Sequence, residues 1–169
     1  AMRVGYEENR SCTIEKPSQK NIVLLMVESL STYQSDLFSG IRDWTPNLDE
    51  IARNNQYFTR FHANGYTTEH GEMALLTGLL PITPPSENTY RPESNFSGFS
   101  QYSYSLPRAL NQGGYQTEFL TSSDLGFAHT GEWVEGLEFD YIEGHEHPYY
   151  DNFDRYQFGA APDAALYDR

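Results

Sequence analysis

Positive charge is scarce in this sequence. Its 169 residues include 11 Lys and Arg against 24 Asp and Glu, so the formal net charge is −13. Such a chain lacks the basic face that nucleic-acid binding requires, and an anionic membrane surface would repel it. If the protein handles an anionic substrate, it needs a local positive element, for which a divalent cation is one candidate.

Cysteine and long apolar runs are also rare. The single cysteine, Cys12, cannot form a disulfide within the chain, so we interpret it as an incidental exposed thiol that leaves the redox compartment open. No apolar run approaches the roughly 18 residues of a membrane span, and no signal-peptide segment precedes the fold. We therefore expect any membrane anchor to lie outside this sequence.

The remaining composition indicates one globular domain. Hydrophobic residues make up 38% of the chain and aromatic residues 15%, which is too apolar for a disordered protein. Residues 1–20 are polar and without periodicity, and we interpret them as a tail or linker. Residues 21–169 are the predicted folded part.

Apolar runs and helix signals alternate along that part. The run NIVLLMVES at 21–29 is typical of a strand buried on both faces of a parallel sheet. The pattern predicts strands at 21–29, 56–64 and 115–123, helices at 45–55, 68–79, 105–115 and 130–139, and a long loop at 82–104. This alternation predicts an α/β fold, with a mostly parallel sheet flanked by helices.

Two positions stand out chemically. Glu28 closes an apolar strand, at the sheet edge where α/β proteins bind ligands, although it could equally lie in solvent just past the strand. Thr67 and Thr68 begin a predicted helix, where a hydroxyl is most often a cap. The same helix end favours an anion such as phosphate, and metal coordination would make a hydroxyl there a nucleophile.

Three stretches carry a resemblance to a known superfamily. They are NIVLLMVES at 21–29, TPNLDEIARNNQYFTRFHANG at 45–65 and TTEHGEMALLTGLLP at 67–81. Together they resemble the alkaline phosphatase and sulfatase superfamily, and within it the lipoteichoic acid synthase and phosphoglycerol transferase branch. GGYQTEFLTSSDLGFAHTGEWVEGLEFD at 113–140 continues the likeness, which implies an alkaline-phosphatase-like sheet that is incomplete in this chain.

The resemblance implies a nucleophile. In sulfatases a Cys or Ser, later oxidised to formylglycine, lies nine residues before the Thr of an LTG tripeptide; here that residue is Thr68, nine before Thr77. The sulfatase motif continues with a Pro and an Arg, whereas this chain has TEHGE, which argues against a formylglycine sulfatase. A threonine nucleophile followed four residues later by a glutamate, here Glu72, is similar to the synthase branch. We expect Thr68 both to cap its helix and to attack, with Thr67 as the fallback nucleophile.

The resemblance also implies a divalent metal, with Mn²⁺ favoured and Mg²⁺ or Zn²⁺ as alternatives. Glu28 and Thr68 match two of its ligands, but the later Asp-His pair of the family has no counterpart in these 169 residues. Two ligands are too few for a divalent ion. We therefore interpret the chain as the N-terminal part of a longer catalytic domain, and we expect it to be inactive alone.

Histidines and a loop supply the candidate substrate contacts. The resemblance places the DLGFAHTGEW loop near the substrate, with Phe127 and His129 at the positions of a Trp and an Arg in the synthase branch. His70 could touch a bound phosphate or be exposed, and we favour the exposed interpretation. His145 and His147 lie near two glutamates in a locally metal-like cluster, for which a solvated turn is the favoured interpretation. Trp133 lies on a helical stripe and is interpreted as core.

The function implied by the resemblance is transfer of a phosphoglycerol or phosphoethanolamine group through a covalent threonine intermediate. The implied partners are a phospholipid-type or phosphate-ester donor and a glycan or polymer acceptor. The implied location is the extracytoplasmic face of a bacterial cell membrane. Two alternatives stay open: a hydrolase of phosphate or sulfate esters, and a degenerate module without catalytic activity.

Overall fold

The computed structural model describes residues 20–65, 67–80 and 104–169, which contain five α-helices and two β-strands. The helices are α1 (Pro46–Asn54), α2 (Thr68–Thr77), α3 (Leu106–Gln112), α4 (Thr130–Gly136) and α5 (Asp163–Tyr167), and the strands are β1 (Glu118–Leu120) and β2 (Tyr141–Glu143). Short 3-10 turns lie between them. The predicted tail at 1–20 and the predicted loop at 82–104 fall almost wholly outside the described residues.

The four helices predicted from local signals are confirmed. Helix α3 begins after Ser105, whose hydroxyl accepts a hydrogen bond from the backbone N–H of Arg108 at 3.3 Å. Helix α2 ends at Gly78, which takes the left-handed conformation (φ +69°) that glycine adopts without strain. Because each cap involves residues only three or four positions apart, it can be recognised from the sequence alone.

The sheet is parallel and small. Strand β1 pairs with β2 in the register Glu118 with Tyr141, Phe119 with Ile142 and Leu120 with Glu143. Strand β1 lies inside the predicted strand at 115–123, and helix α4 forms the crossover between the two strands. The chain is therefore of the α/β class, with mixed helices around a short parallel sheet, as predicted.

Two predicted strands are wrong. Neither 21–29 nor 56–64 forms a strand, because in the part of the chain that the structure describes the sheet pairs only β1 with β2. A strand is held by backbone hydrogen bonds to a neighbour, and the residues that the structure describes supply none of that kind to these two segments. The apolar run is consequently exposed: Val23 is 89% and Ile22 62% accessible. No helix in the described ranges has the length and apolarity needed to cross a membrane.

The main core joins α2 to α4. Its buried members are Met73, Leu76, Trp133, Val134 and Leu137, and Phe119 of β1 and Ile142 of β2 pack against them. The two helices therefore share one core with the inward-facing residues of the strands. The interpretation of Trp133 as a core residue is confirmed, since it is 3% exposed.

Candidate active site

The N-terminus of α2 divides two tasks between adjacent threonines. Thr67 is the N-cap, with extended backbone and a side-chain oxygen that accepts the backbone N–H of His70 at 3.4 Å. Thr68 is the first helical residue, and its side chain is exposed. The prediction that Thr68 caps the helix is therefore wrong, because the cap requires the non-helical residue before it. Thr68 is left with its hydroxyl available for another partner.

That partner is Glu28. The hydroxyl Oγ1 of Thr68 donates a hydrogen bond to Oε2 of Glu28, across 40 residues of sequence. The other carboxylate oxygen, Oε1, accepts the hydroxyl of Ser29 at 2.9 Å. Ser29 has a positive φ of 56°, a conformation that is uncommon for a residue other than glycine and is often found at functional sites. The two residues expected to share a cation thus meet; their roles as nucleophile and metal ligand stay a prediction.

Carboxylates crowd this end of α2. Glu69 is buried at 8% exposure, and Glu72 lies one turn further along the helix. Burial, followed by the charges of Glu69 and Glu28, raises the pKa of Glu72 to about 7. This mutual repulsion fits a site that receives a cation, since a positive charge would relieve it. The carboxylates do not converge tightly enough to form a complete ligand set among the described residues.

His70 is buried rather than exposed. Only 4% of it is accessible, so the favoured sequence interpretation is wrong. The reason is a close approach by Gly65: a Cβ there would lie 3.3 Å from the Cα of His70, and closer still to its side chain. The glycine lets the preceding loop pass over the first turn of α2. The role of His70 in substrate binding stays a prediction.

The predicted substrate loop forms a strained turn before α4. Phe127 is 46% exposed, and Ala128 and His129 both have positive φ values, of 53° and 61°. The Nδ1 atom of His129 lies 3.6 Å from a carboxylate oxygen of Glu132, and both side chains are exposed. Ala128 packs against the core cluster that includes Met73 of α2, so this turn and α2 share one core. The substrate-binding roles of Phe127 and His129 stay predictions.

A second polar cluster lies at the carboxyl ends of β1 and β2. Asp124, His145 and Glu146 present ligand atoms that all lie within 4.8 Å of one another. The sequence alone does not group Asp124 with the other two, because it comes about 20 residues earlier and only strand pairing brings it near. Nor is the segment a fully solvated turn: Glu143 is 3% exposed and accepts two hydrogen bonds from Arg169, each at 3.1 Å.

The fold and the site define the class of protein. The sulfatase family model matches residues 20–169. The α/β fold agrees with this match, and so does the hydroxyl at a helix N-terminus that donates to a carboxylate from an upstream segment. The chain belongs to the sulfatase family.

Curated relatives agree with this assignment. The N-acetylgalactosamine-6-sulfatase of Rattus norvegicus is 28% identical over 117 residues, and that of Homo sapiens 27%. Both matches cover 65% of this chain and 22% of the relative. The N-acetylglucosamine-6-O-sulfatase of Bacteroides thetaiotaomicron is 27% identical over 135 residues, covering 75% of this chain and 23% of the relative. No solved structure gives a significant match.

These relatives are much longer than this chain. The chain spans less than a quarter of the length of the relatives it matches. The family generally uses a divalent metal ion, in agreement with the expected cofactor, whereas the identity of that ion is not defined. The superfamily resemblance is confirmed at the level of the sulfatase family; the lipoteichoic acid synthase branch stays a prediction.

Proposed function

We propose that this chain carries the nucleophile-bearing part of a metal-dependent ester hydrolase of the sulfatase family, acting on sulfate or phosphate esters. One observation carries the proposal: the hydroxyl of Thr68 donates a hydrogen bond to the carboxylate of Glu28 at the N-terminus of α2. A hydroxyl is activated when a neighbouring group accepts its proton, and Glu28 is placed to do so.

The chemistry then depends on the position of Thr68. Its oxygen attacks the phosphorus or sulfur of the ester, and its proton passes towards Glu28. The bond from phosphorus or sulfur to the alcohol oxygen breaks, and the alcohol leaves with the proton that Glu28 gives back. Water next attacks the ester formed on Thr68, which releases inorganic phosphate or sulfate and restores the hydroxyl. The positive end of the α2 dipole stabilises the anionic group throughout.

The acidic surroundings call for a cation. Glu28 and Thr68 are the residues that would hold it, and the neighbouring carboxylates add to burial in raising the pKa of Glu72. When bound, a divalent cation would lower the pKa of the Thr68 hydroxyl and neutralise the ester oxygens. Because Glu28 and Thr68 are only two ligands, we propose that further ligands come from a part of the catalytic domain outside these residues.

Phosphoryl transfer is the second candidate, and one observation favours it. The nucleophile position holds Thr68 rather than a cysteine or serine, and Glu72 lies one turn later on the same helix. A threonine would act as an unmodified hydroxyl. In this alternative an alcohol replaces water in the second step, and the donor is a phospholipid-type ester carrying phosphoglycerol or phosphoethanolamine. A glycan or polymer acceptor and the extracytoplasmic face of a bacterial membrane belong to this second proposal.

Turnover by the protein from the complete reading frame tests the proposal. We expect hydrolysis of 4-nitrophenyl sulfate or phosphate with added Mn²⁺, and a loss on the order of 10⁴-fold or more in kcat for Thr68→Ala. The matched control is Thr67→Ala, which removes the neighbouring hydroxyl and keeps the nucleophile. Wild-type turnover by Thr68→Ala would show that the nucleophile is elsewhere.

Acceptor competition separates the two candidates. Adding glycerol to the hydrolysis reaction leaves inorganic phosphate or sulfate as the main product of a hydrolase. A transferase instead moves the group to glycerol, and free phosphate falls as the glycerol ester rises. Measuring both products in one reaction identifies which acceptor the intermediate prefers.

A further inference from the structure

The loops after β1 and β2 contain a set of metal-ligating side chains that the proposed reaction does not use. Asp124 comes after β1, and His145 and Glu146 come after β2. Because the strands are parallel neighbours, their carboxyl ends meet at one edge of the sheet, which is where α/β proteins bind ligands. Neither Thr68 nor Glu28 belongs to this set.

Hydrogen bonds donated by backbone N–H groups tie the two loops together. The N–H of His145 donates to the carbonyl of Ser123 at 3.0 Å, and the N–H of Leu125 donates to Oε1 of Glu146, also at 3.0 Å. Asp124 Oδ1 accepts the N–H of Gly126 at 2.7 Å, which fixes that carboxylate within its own turn. The three side chains are therefore presented from a defined framework.

The imidazole of His145 is oriented by a group outside the cluster. Its Nδ1 lies 2.7 Å from the carbonyl oxygen of Gly159. A carbonyl oxygen can only accept, so Nδ1 carries the proton and the lone pair of a neutral ring is on Nε2. Metal-binding histidines are commonly held in this way by a carbonyl behind the ring. Nε2 in turn lies 3.9 Å from Oε1 of Glu146, so a lone pair faces a carboxylate.

Gly159 is required for this arrangement. Its φ is +66°, and a Cβ there would lie 2.7 Å from Cε1 of His145. Only a residue without a side chain lets the carbonyl approach the ring so closely in this backbone conformation. The histidine is itself mostly covered, with a side chain that is 22% exposed.

The distances suit a small cation. The three ligand atoms lie within 4.8 Å of one another. Zinc bonds of about 2.1 Å in a tetrahedral arrangement place two ligand atoms about 3.4 Å apart, so modest side-chain rotations would close the site. One imidazole nitrogen with two carboxylate oxygens favours zinc and similar first-row ions over Mg²⁺ or Ca²⁺, which prefer oxygen ligands alone. Three protein ligands leave one position for water or another group.

We propose that Asp124, His145 and Glu146 form a binding site for a divalent first-row transition metal of the zinc type. The metal joins the loop after β1 to the loop after β2, and so braces the strained turn at 127–129 that leads into α4.

Zinc titration of the full chain tests this site. The protein is freed of metal with a chelator and titrated with ZnCl₂ by calorimetry, in a Glu28→Gln background that weakens the site at Thr68. We expect His145→Gln and Asp124→Asn each to weaken zinc binding at least about tenfold. Asp124→Asn is the conservative variant, because its amide oxygen can still accept the N–H of Gly126.

The matched control is His147→Gln, two residues along the same loop. His147 accepts the N–H of Tyr149 and lies 3.7 Å from Glu143, so it belongs to a different set of contacts. Its replacement leaves zinc affinity unchanged if the proposal holds. Circular dichroism checks that each variant folds, and the visible absorption of Co²⁺ bound to the Glu28→Gln protein reports directly on nitrogen and oxygen ligands. Absence of a zinc equivalent in the Glu28→Gln background, or equal zinc affinity with and without Asp124→Asn in that background, overturns the site.

Discussion

Replacing Glu72 by glutamine should stabilise the metal-free protein at alkaline pH. Burial and the charges of Glu69 and Glu28 raise the pKa of Glu72 from 4.5 to about 7. Because each pH unit corresponds to about 1.36 kcal/mol, ionising Glu72 costs the folded state about 3 kcal/mol. The folded chain binds this proton more tightly than the unfolded chain. The protonated form of Glu72 therefore contributes stability to the folded chain. This contribution is fully present below pH 4.5 and is lost as the pH rises through about 7.

Urea unfolding at two pH values measures the effect. In the presence of a chelator, Glu72→Gln should exceed the wild type in unfolding free energy by up to about 3 kcal/mol near pH 8, and should match it near pH 4. The control is Glu135→Gln, on the exposed face of α4, which changes the same charge without relieving the cluster. A Glu72→Gln variant that is less stable than wild type near pH 8, or whose advantage is the same at both pH values, would refute the reasoning.

Three further substitutions test other parts of the structure. Leu137→Ala empties a site that is 0% exposed, so it should cost about 2–5 kcal/mol in unfolding free energy by urea titration; a loss well below this range would mean that the core of α2 and α4 is not packed as described. Thr67→Ala should cost about 1 kcal/mol by removing the N-cap of α2, with Thr67→Ser close to wild type; equal losses for both would contradict the cap. Glu143→Gln should cost about 1–3 kcal/mol near neutral pH. Burial acts to raise the pKa of Glu143, but hydrogen bonds from Tyr141 and Arg169 outweigh it and lower that pKa, so the wild type loses this contribution as the pH falls through the folded-state value. A cost for Glu143→Gln that persists at the acidic end of a pH series of melts would count against this network.

The helices could be predicted from the sequence because their signals are local. Pro46 at the first position of α1, and Gly78 after α2, act within a few residues of the helix ends that they mark. Strands depend on partners that are distant in sequence. The run at 21–29 has the composition of a buried strand, yet composition cannot supply the neighbouring strand that would make it one.

The candidate site shows the same division. Glu28 and Thr68 could be paired from the sequence because the superfamily resemblance matches both residues to ligands of one metal, whereas position alone left the role of Glu28 open. The burial of His70 could not, since it depends on a loop passing at Gly65. The cluster of Asp124 with His145 and Glu146 depends on the pairing of β1 with β2. That pairing could not be predicted, because the strand at 141–143 is too short and too polar to be recognised from its sequence.

The most direct test of the central claim is mass spectrometry of the protein from the complete reading frame, quenched in acid during turnover of a sulfate or phosphate ester. The mechanism predicts a sulfo or phospho adduct on the peptide that contains Thr68, present in Thr67→Ala and lost in Thr68→Ala. An adduct on any other residue, or sustained turnover by Thr68→Ala, would contradict it.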